Sequence, residues 1–213
     1  LLGDGVPKEK IFFTGNVMID SLIHFREKAR SSNVLEQNGL KPQEYLLVTL
    51  HRPSNVDDQH NLTKLVEILN EASKRIKVVF PMHPRTLNSL NKYDLELNTE
   101  NLVLLEPQGY LDFLELMQNS KALLTDSGGI QEETTYLNIP CITLRENTER
   151  PVTIEIGTNV LMSLDKDPIM ENLDLIISNN WKSGQIPKYW DGKAAERMTE
   201  ILIEYLESQK KAS

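Results

Sequence analysis

The pattern that most constrains the fold of this chain is a regular alternation between short β-rich runs and longer helical runs. Some short runs are continuously apolar, such as residues 45–50, which is typical of strands covered on both faces. Between the short runs, apolar residues recur at helical spacing, as at Ile169, Leu173 and Ile176. This alternation predicts an α/β fold, a doubly wound parallel sheet with helices on both faces.

The predicted elements cover most of the chain. We expect strands at residues 11–14, 45–50, 77–80, 102–105, 122–125, 141–144 and 159–162. We expect helices at residues 17–30, 61–74, 110–119, 129–137 and 169–178. Residues 179–191 contain Gly184, Pro187 and both tryptophans and predict a loop. An amphipathic terminal helix is predicted to follow, from about residue 192 to residue 207.

Charge and composition exclude several classes of ligand. With 23 Lys plus Arg against 31 Asp plus Glu, the chain has a net charge of −8, which argues against binding nucleic acid or an anionic membrane. Any anionic ligand must therefore be held by a local cluster of donors. The single Cys141 excludes an internal disulfide, and no cluster of His, Cys or Asp has metal-ligand spacing. We therefore expect no metal and no cofactor.

Targeting signals are also missing from the sequence pattern. No apolar run approaches the roughly 18 residues that a membrane span needs, and no signal peptide is evident. We therefore expect a cytoplasmic protein. Because the sequence begins at Leu rather than Met, we also expect it to be a fragment of a longer protein.

Cationic residues follow the predicted strands at the edge where doubly wound sheets bind ligands. Two of the four histidines and four arginines lie there: His51, Arg52, His83, Arg85, Arg145 and Arg150. In an acidic protein this concentration indicates a site. A single histidine after a strand is usually structural, but either one could also bind phosphate or act as an acid or base.

The turn at residues 126–129 (Asp-Ser-Gly-Gly) is the sharpest candidate motif. Two glycines that open a helix allow close backbone approach, and the free N–H groups and helix dipole there favour an anion. A plain turn in which Ser127 caps the helix explains the tetrapeptide equally well. On the same helix, either Glu132 or Glu133 could accept hydrogen bonds from a ribose diol, while the other only favours the dipole.

Taken in order, these segments resemble the C-terminal half of the non-hydrolysing UDP-N-acetylglucosamine 2-epimerases. The resemblance covers nearly the whole chain, and it is carried by residues 14–16 (Thr-Gly-Asn), 19–20, 50–52 (Leu-His-Arg), 55–57, 126–133 (Asp-Ser-Gly-Gly-Ile-Gln-Glu-Glu), 148–151 (Thr-Glu-Arg-Pro), 157–159 and 191–192. The blocks at 126–133 and 148–151 are far more specific together than any single motif.

The resemblance implies a two-domain fold of the glycosyltransferase-B type, with UDP in the cleft between the domains. This chain would be the second, Rossmann-like domain, with residues 1–190 binding UDP and residues 191–213 forming a C-terminal helix. Its partner would be its own N-terminal domain, which carries the family's proton-transfer carboxylates and is absent from this sequence. The family is usually homodimeric.

The resemblance also implies roles for single residues. It assigns UDP binding to Ser127, Gly128 and Gly129 around the diphosphate, Glu133 at the ribose hydroxyls, Arg150 at the phosphates and Phe113 near the uracil. His51 matches the family's functional histidine in the catalytic cleft. Arg52 and His83 lie near the position where some bacterial members bind a second, activating UDP-sugar.

Two positions depart from the family pattern. Ser54 stands where the family usually has Glu, two residues after the Arg of its His-Arg motif. Val152 stands where a Glu commonly follows the Arg-Pro pair. These differences concern the regulatory site and the choice of sugar rather than the residues assigned to UDP.

The activity that the resemblance implies is inversion at C2 of the sugar. UDP is eliminated to give a 2-acetamidoglucal, and then UDP adds again with the configuration at C2 inverted. Fixed donors at the diphosphate would stabilise the charge that develops on the leaving UDP. Three alternatives stay open: a hydrolysing 2-epimerase, a glycosyltransferase of the same fold, and a UDP-sugar-binding regulator without catalysis.

Overall fold

The structure, a computed structural model, describes residues 3 and 5–212 of the chain. Within this range the chain divides into two compact units. The larger unit is Phe25–Pro187, and the smaller one combines the described residues up to His24 with those from Lys188 onward.

A single sheet of six parallel strands forms the centre of the larger unit. The strands are β1 (Tyr45–Thr49), β2 (Lys77–Pro81), β3 (Leu102–Leu105), β4 (Ala122–Thr125), β5 (Cys141–Leu144) and β6 (Asn159–Met162). Their order is β3-β2-β1-β4-β5-β6, and Leu47 of β1 pairs with Val79 of β2 and Leu123 of β4. This order confirms the predicted doubly wound, Rossmann-like fold, in which the direction of winding changes between β1 and β4.

Helices alternate with the strands along the chain, and others precede the first strand and follow the last. They are α1 (Val17–Ala29), α2 (Val34–Gln37), α3 (Pro53–Val56), α4 (Gln59–Ser73), α5 (Pro84–Lys92), α6 (Tyr110–Gln118), α7 (Gly128–Leu137), α8 (Val152–Glu155), α9 (Lys166–Ile177) and α10 (Ala194–Ala212). Helices α4 and α9 pack together, and their side chains Leu65, Ile68 and Leu173 join those of the strands in the main buried cluster. Burying each such side chain contributes about 1.5–3 kcal/mol, so this packing supports the sheet below the site.

The predicted strand at residues 11–14 is wrong. This segment has no regular structure, and the side chains of Phe12 and Phe13 are exposed. Its apolar residues make a side-chain contact instead of pairing in a sheet. The ring of Phe13 lies against the ring of Tyr189 in the smaller unit, with the centroids 5.5 Å apart. Period-two apolarity does not distinguish a strand from such an extended segment.

The sequence pattern also fails to predict α5, because this helix is mostly polar. It begins at Pro84, a residue type favoured in the first turn, and His83 caps its N-terminus. The short helices α2, α3 and α8 are likewise missing from the prediction. The terminal helix runs over Ala194–Ala212, beyond the end near residue 207 that the amphipathic pattern predicts, and Ser213, the last residue of the range 191–213, lies outside the described residues.

The smaller unit is held by contacts between its two chain segments. Asp20 accepts hydrogen bonds from the N–H groups of Ala194 (3.1 Å) and Ala195 (2.8 Å), so it caps the N-terminus of α10. Gly15 has a φ of +107°, and a Cβ there would lie 2.2 Å from the carbonyl oxygen of Tyr189. Only glycine tolerates both the backbone angle and this close approach.

Two absences concern the described residues only. Over residues 3 and 5–212, no helix is both long enough and apolar enough to cross a membrane. The same part of the chain holds no group of three or more His, Cys, Asp or Glu residues that could bind a metal ion.

Candidate functional site

The site lies in the larger unit at the carboxyl ends of β1 and β4, where the direction of winding changes. His51 and Arg52 come just after β1, and Asp126 and Ser127 come between β4 and α7. In doubly wound sheets this switch point opens a crevice that binds ligands. The fold therefore brings two of the predicted motifs, 75 residues apart in sequence, to one place.

Asp126 joins the two loops at this point. Its carboxylate is completely buried and accepts hydrogen bonds from the backbone N–H groups of His51 (3.1 Å) and Arg52 (2.9 Å) and from Nδ2 of Asn55 (3.2 Å). A buried carboxylate is stable only with such donors. The loop that carries His51 is therefore fixed to the residue that precedes Ser127.

Two histidine rings lie side by side near this carboxylate. Nδ1 of His51 is 3.3 Å from Oδ1 of Asp126, while 44% of the His51 side chain is exposed. The rings of His51 and His83 have centroids 5.8 Å apart. His83 also accepts a hydrogen bond at Nδ1 from the N–H of Arg85, at 3.1 Å, in its role as N-cap of α5.

Gly128 and Gly129 open helix α7, and Ser127 is its N-cap residue in an extended conformation. The Ser127 side chain makes no capping hydrogen bond, so its hydroxyl is available to a ligand. The first N–H groups of a helix have no intrahelical partner, and they favour an anion together with the helix dipole. A Cβ on Gly129 would meet no atom within 4 Å, so there is open space beside this turn.

Arg150 covers the other side of the turn. A Cβ on Gly128 would lie 2.7 Å from Nη1 of Arg150, so glycine at this position allows the guanidinium to approach the backbone. Nε of Arg150 is 3.2 Å from Glu132, and Nη1 is 3.3 Å from Glu149. The arginine that the resemblance assigned to the phosphates thus lies directly against the predicted cradle.

A second arginine reaches the same place from β5. Arg145 is buried and forms a bidentate pair with Glu149, with N–O distances of 3.0 and 2.8 Å. Hydrogen bonds from Arg145 lower the pKa of the Glu149 carboxyl to about 2. Sequence reasoning placed Arg145 at this edge but missed Glu149, since a glutamate in a loop carries no signal of its partner.

The loop that carries Arg150 is held by helix α7. Gln131 is completely buried, and its Oε1 accepts a hydrogen bond from the hydroxyl of Thr148 at 2.8 Å. The Thr148 oxygen in turn accepts from the N–H of Arg150 at 3.0 Å. The position of Arg150 is therefore set by the same helix whose N-terminus forms the cradle.

Glu133 lies one turn further along α7 and is only 5% exposed. Its carboxylate accepts a hydrogen bond from the hydroxyl of Tyr110 at 3.2 Å. Burial raises the pKa of the Glu133 carboxyl to about 7, against the opposing effect of the Tyr110 hydrogen bond. Sequence reasoning missed Tyr110, although it begins the same helix α6 that carries the predicted residue Phe113.

The two residues predicted for regulation, Arg52 and His83, lie in different surroundings. His83 lies beside His51, whereas Arg52 lines a cavity of about 840 Å³ together with Lys64, Arg145 and Lys166. This cavity is lined by none of Ser127, Glu133 or Arg150, so it is not the predicted UDP site.

The sheet order and the glycine-rich helix start at its switch point define this chain as a Rossmann-like α/β domain. The family model of UDP-N-acetylglucosamine 2-epimerase matches residues 1–203, and the chain belongs to this family. The predicted resemblance to the family's C-terminal half is thereby confirmed.

Individual relatives agree with this assignment. The UDP-N-acetylglucosamine 2-epimerase of Methanocaldococcus jannaschii is 36% identical over 212 residues, which is 95% of this chain and 57% of that protein. The UDP-2,3-diacetamido-2,3-dideoxy-D-glucuronate 2-epimerase of Pseudomonas aeruginosa is 37% identical over 196 residues, covering 91% of this chain and 52% of that protein. The chain thus spans little more than half the length of these relatives.

Solved structures are similar over the same range. The M. jannaschii epimerase in complex with UDP-GlcNAc and UDP matches with a TM-score of 0.83 and 36% identity, covering 95% of this chain and 57% of that one. An Escherichia coli ADP-heptose heptosyltransferase matches with a TM-score of 0.55 and 16% identity over 72% of this chain and 52% of that one, a likeness of fold alone.

Proposed function

We propose that this chain is the UDP-binding half of a non-hydrolysing UDP-N-acetylglucosamine 2-epimerase that interconverts UDP-GlcNAc and UDP-ManNAc. The observation that carries the proposal is the cradle in which Ser127, Gly128 and Gly129 open helix α7 beneath the guanidinium of Arg150. An open helix N-terminus beside an arginine has the donors and the charge that a diphosphate requires.

Each part of UDP then has its own contact. The N–H groups of the cradle and Arg150 bind the diphosphate, Glu133 accepts the ribose hydroxyls, and Phe113 lies near the uracil. Because the donors are fixed by Gln131 and Thr148 before the ligand arrives, they stabilise the charge on the departing UDP without reorganisation. Retention of UDP matters in this reaction, since the same UDP must add again to C1 while a proton returns to the opposite face of C2.

His51 completes this half of the cleft as the catalytic histidine of the chain. Its exposed ring and the buried Asp126 behind it suit a group that exchanges protons near neutral pH. In this proposal the carboxylates that move the C2 proton belong to an N-terminal domain, as the family resemblance implies. Arg52 and His83 serve regulation by a second UDP-sugar.

The remaining organisation is part of the same proposal. Residues 1–190 provide the UDP-binding domain, of which Phe25–Pro187 contain the whole sheet, and residues 191–213 provide the terminal helix. The complete protein works as a cytoplasmic homodimer in which this domain faces its own N-terminal domain. Support for a further domain comes from the family, since the M. jannaschii relative is longer than this chain, which covers 57% of it.

A second candidate substrate follows from one relative. The P. aeruginosa protein, 37% identical, is named for a diacetamido glucuronate rather than for N-acetylglucosamine. The UDP cradle suits both nucleotide sugars, because neither sugar ring takes part in the contacts to the diphosphate. The cradle therefore does not determine the sugar specificity, which the experiment below measures.

The test is proton NMR of the full-length protein with UDP-N-acetylglucosamine in deuterated water. We expect UDP-ManNAc to form and deuterium to appear at C2. Free N-acetylmannosamine would indicate a hydrolysing enzyme, and transfer that needs an added acceptor would indicate a glycosyltransferase. Binding without any change of the sugar would contradict the proposed catalysis. A parallel reaction with the diacetamido glucuronate nucleotide decides between the two substrates.

A further inference from the structure

The two neighbouring histidines, His51 and His83, differ in the group that faces Nδ1 of each ring. They follow the adjacent parallel strands β1 and β2, so both rings stand at the same edge of the sheet. Their centroids are 5.8 Å apart, and the ring planes are tilted by 38°. In a neutral imidazole one nitrogen carries the proton and the other has a free lone pair. The group that faces one nitrogen determines which of the two is protonated.

At His51 the deciding group is the buried carboxylate of Asp126. Nδ1 lies 3.3 Å from Oδ1, and the remaining lone pairs of this carboxylate already accept from backbone and Asn55 donors. A lone pair on Nδ1 would face a negative oxygen and be repelled. The neutral ring is therefore protonated at Nδ1, and its lone pair lies on Nε2.

At His83 the deciding group is a backbone donor. The N–H of Arg85 donates to Nδ1 at 3.1 Å, as expected for the N-cap of α5. A donor at Nδ1 requires a lone pair there. The neutral ring is therefore protonated at Nε2, the opposite of His51.

We infer that the fold holds His51 and His83 in opposite tautomers, so that one edge of the sheet presents an acceptor nitrogen and a donor N–H side by side. Asp126 is the positioning residue that sets His51. The inference deepens the proposed function and rests on it for its meaning. Nε2 of His51 is set to accept a hydrogen bond from a donor group of the bound nucleotide sugar, and Nε2–H of His83 is set to donate to an anionic oxygen.

The tautomers can be measured without any enzymatic activity. Long-range ¹H–¹⁵N correlation of the ¹⁵N-labelled protein, recorded at increasing pH until the ring signals stop changing, reports each ring in its neutral form. His51→Gln and His83→Gln assign the signals. We expect the protonated, pyrrole-type nitrogen to be Nδ1 in His51 and Nε2 in His83. The exposed His60 should show ¹⁵N shifts averaged over the two tautomers. Equal tautomers, or averaged shifts in His51, would overturn the inference.

The role of Asp126 has a separate test in Asp126→Asn, which keeps the shape but replaces one acceptor oxygen by a donor. We expect the Nδ1–H tautomer of His51 to be lost while that of His83 stays. Asp94→Asn is the matched control, because Asp94 is exposed with a φ of +53°, where Asn is well tolerated. If His51 keeps its tautomer in Asp126→Asn, Asp126 is not its positioning residue. If that variant does not fold, the tautomers of the unaltered protein decide.

These results are distinguishable from those on the proposed function. Opposite tautomers in a protein that does not epimerise would sustain the inference and contradict the activity. Epimerisation by a protein whose two histidines share one tautomer would do the reverse.

Discussion

At the scale of single residues, a substitution at Gly129 should affect ligand binding without affecting the stability of the fold. A methyl group there meets no atom within 4 Å, so Gly129→Ala should not lower the stability of the protein. In the proposed function the diphosphate approaches the helix at this methyl group, so we expect UDP affinity to fall about tenfold, or ~1.4 kcal/mol. Calorimetry with UDP measures this affinity. Uridine, which lacks the diphosphate and should bind more weakly than UDP, is the control ligand, and its affinity should not change. Unaltered UDP affinity would place the diphosphate elsewhere.

The two adjacent glutamates of α7 differ in what they contact. Glu133 is buried beside Tyr110, whereas Glu132 pairs with Arg150. Glu133→Gln should weaken UDP binding about tenfold, because the amide offers one acceptor oxygen where the carboxylate offers two. Glu132→Gln is the matched control and should have a smaller effect. If calorimetry finds the reverse order, the ribose contact is assigned to the wrong glutamate.

Glu133 also makes stability depend on pH. Its pKa is raised to about 7 by burial, so the folded state binds a proton that the unfolded state has already released above about pH 4.5. Stability from this group is complete below about pH 4.5 and is lost as the pH rises to about 7. Glu133→Gln removes the effect, so the stability of the variant relative to the unaltered protein should increase from pH 5 to pH 7 by about 2 kcal/mol.

Urea denaturation of both proteins at the two pH values measures this difference. Glu132→Gln, titrated in parallel, should show no such trend. A variant whose relative stability is the same at pH 5 and pH 7 would mean that Glu133 titrates normally.

At the scale of elements, helix α10 begins at a cap that lies far away in sequence. Asp20 of α1 accepts from the N–H groups of Ala194 and Ala195. Asp20→Ala should lower the free energy of unfolding of the smaller unit by about 1 kcal/mol, a typical value for a lost N-cap. Asp20→Asn keeps an acceptor and should remain close to the unaltered protein. Thermal melts of α10 by circular dichroism measure the effect, and equal melting of the two variants would show that this cap is not stabilising.

The elements differ in how well the sequence predicts them. Strands β1 to β6 are all predicted within one residue at either end, because each is a short apolar run between turns. The apolar run at residues 11–14 looks the same but joins no strand. Helix α5 is missed because its first turn is Pro84-Arg85-Thr86 and its apolar face is narrow. A local sequence pattern predicts a buried helix or strand only when its buried residues recur at a regular spacing.

At the scale of the whole molecule, the proposed function gives this chain the binding of the leaving UDP and assigns none of its residues to the C2 proton. We expect the 213-residue chain alone to bind UDP and to incorporate no deuterium at C2 of UDP-N-acetylglucosamine. General acid–base assistance contributes roughly 10²–10⁴-fold, and an open cleft admits water that weakens each charged contact. The full-length protein should give exchange, and His51→Asn in that protein should slow it. Deuterium incorporated by the chain alone would mean that a complete catalytic set lies within it.

The sequence by itself determined the order of the six strands and of six of the helices along the chain, the family, and the positions of the turn at residues 126–129 and of Arg150. These features are local, since hydrophobic periodicity and glycine-rich turns involve neighbours only a few residues apart. Only the tertiary structure decided that Asp126 holds the His51 loop 75 residues away, and that Tyr110 bonds to Glu133. A hydrogen bond between distant residues depends on which strands become neighbours and on the direction of each side chain, and no spacing along the chain records either.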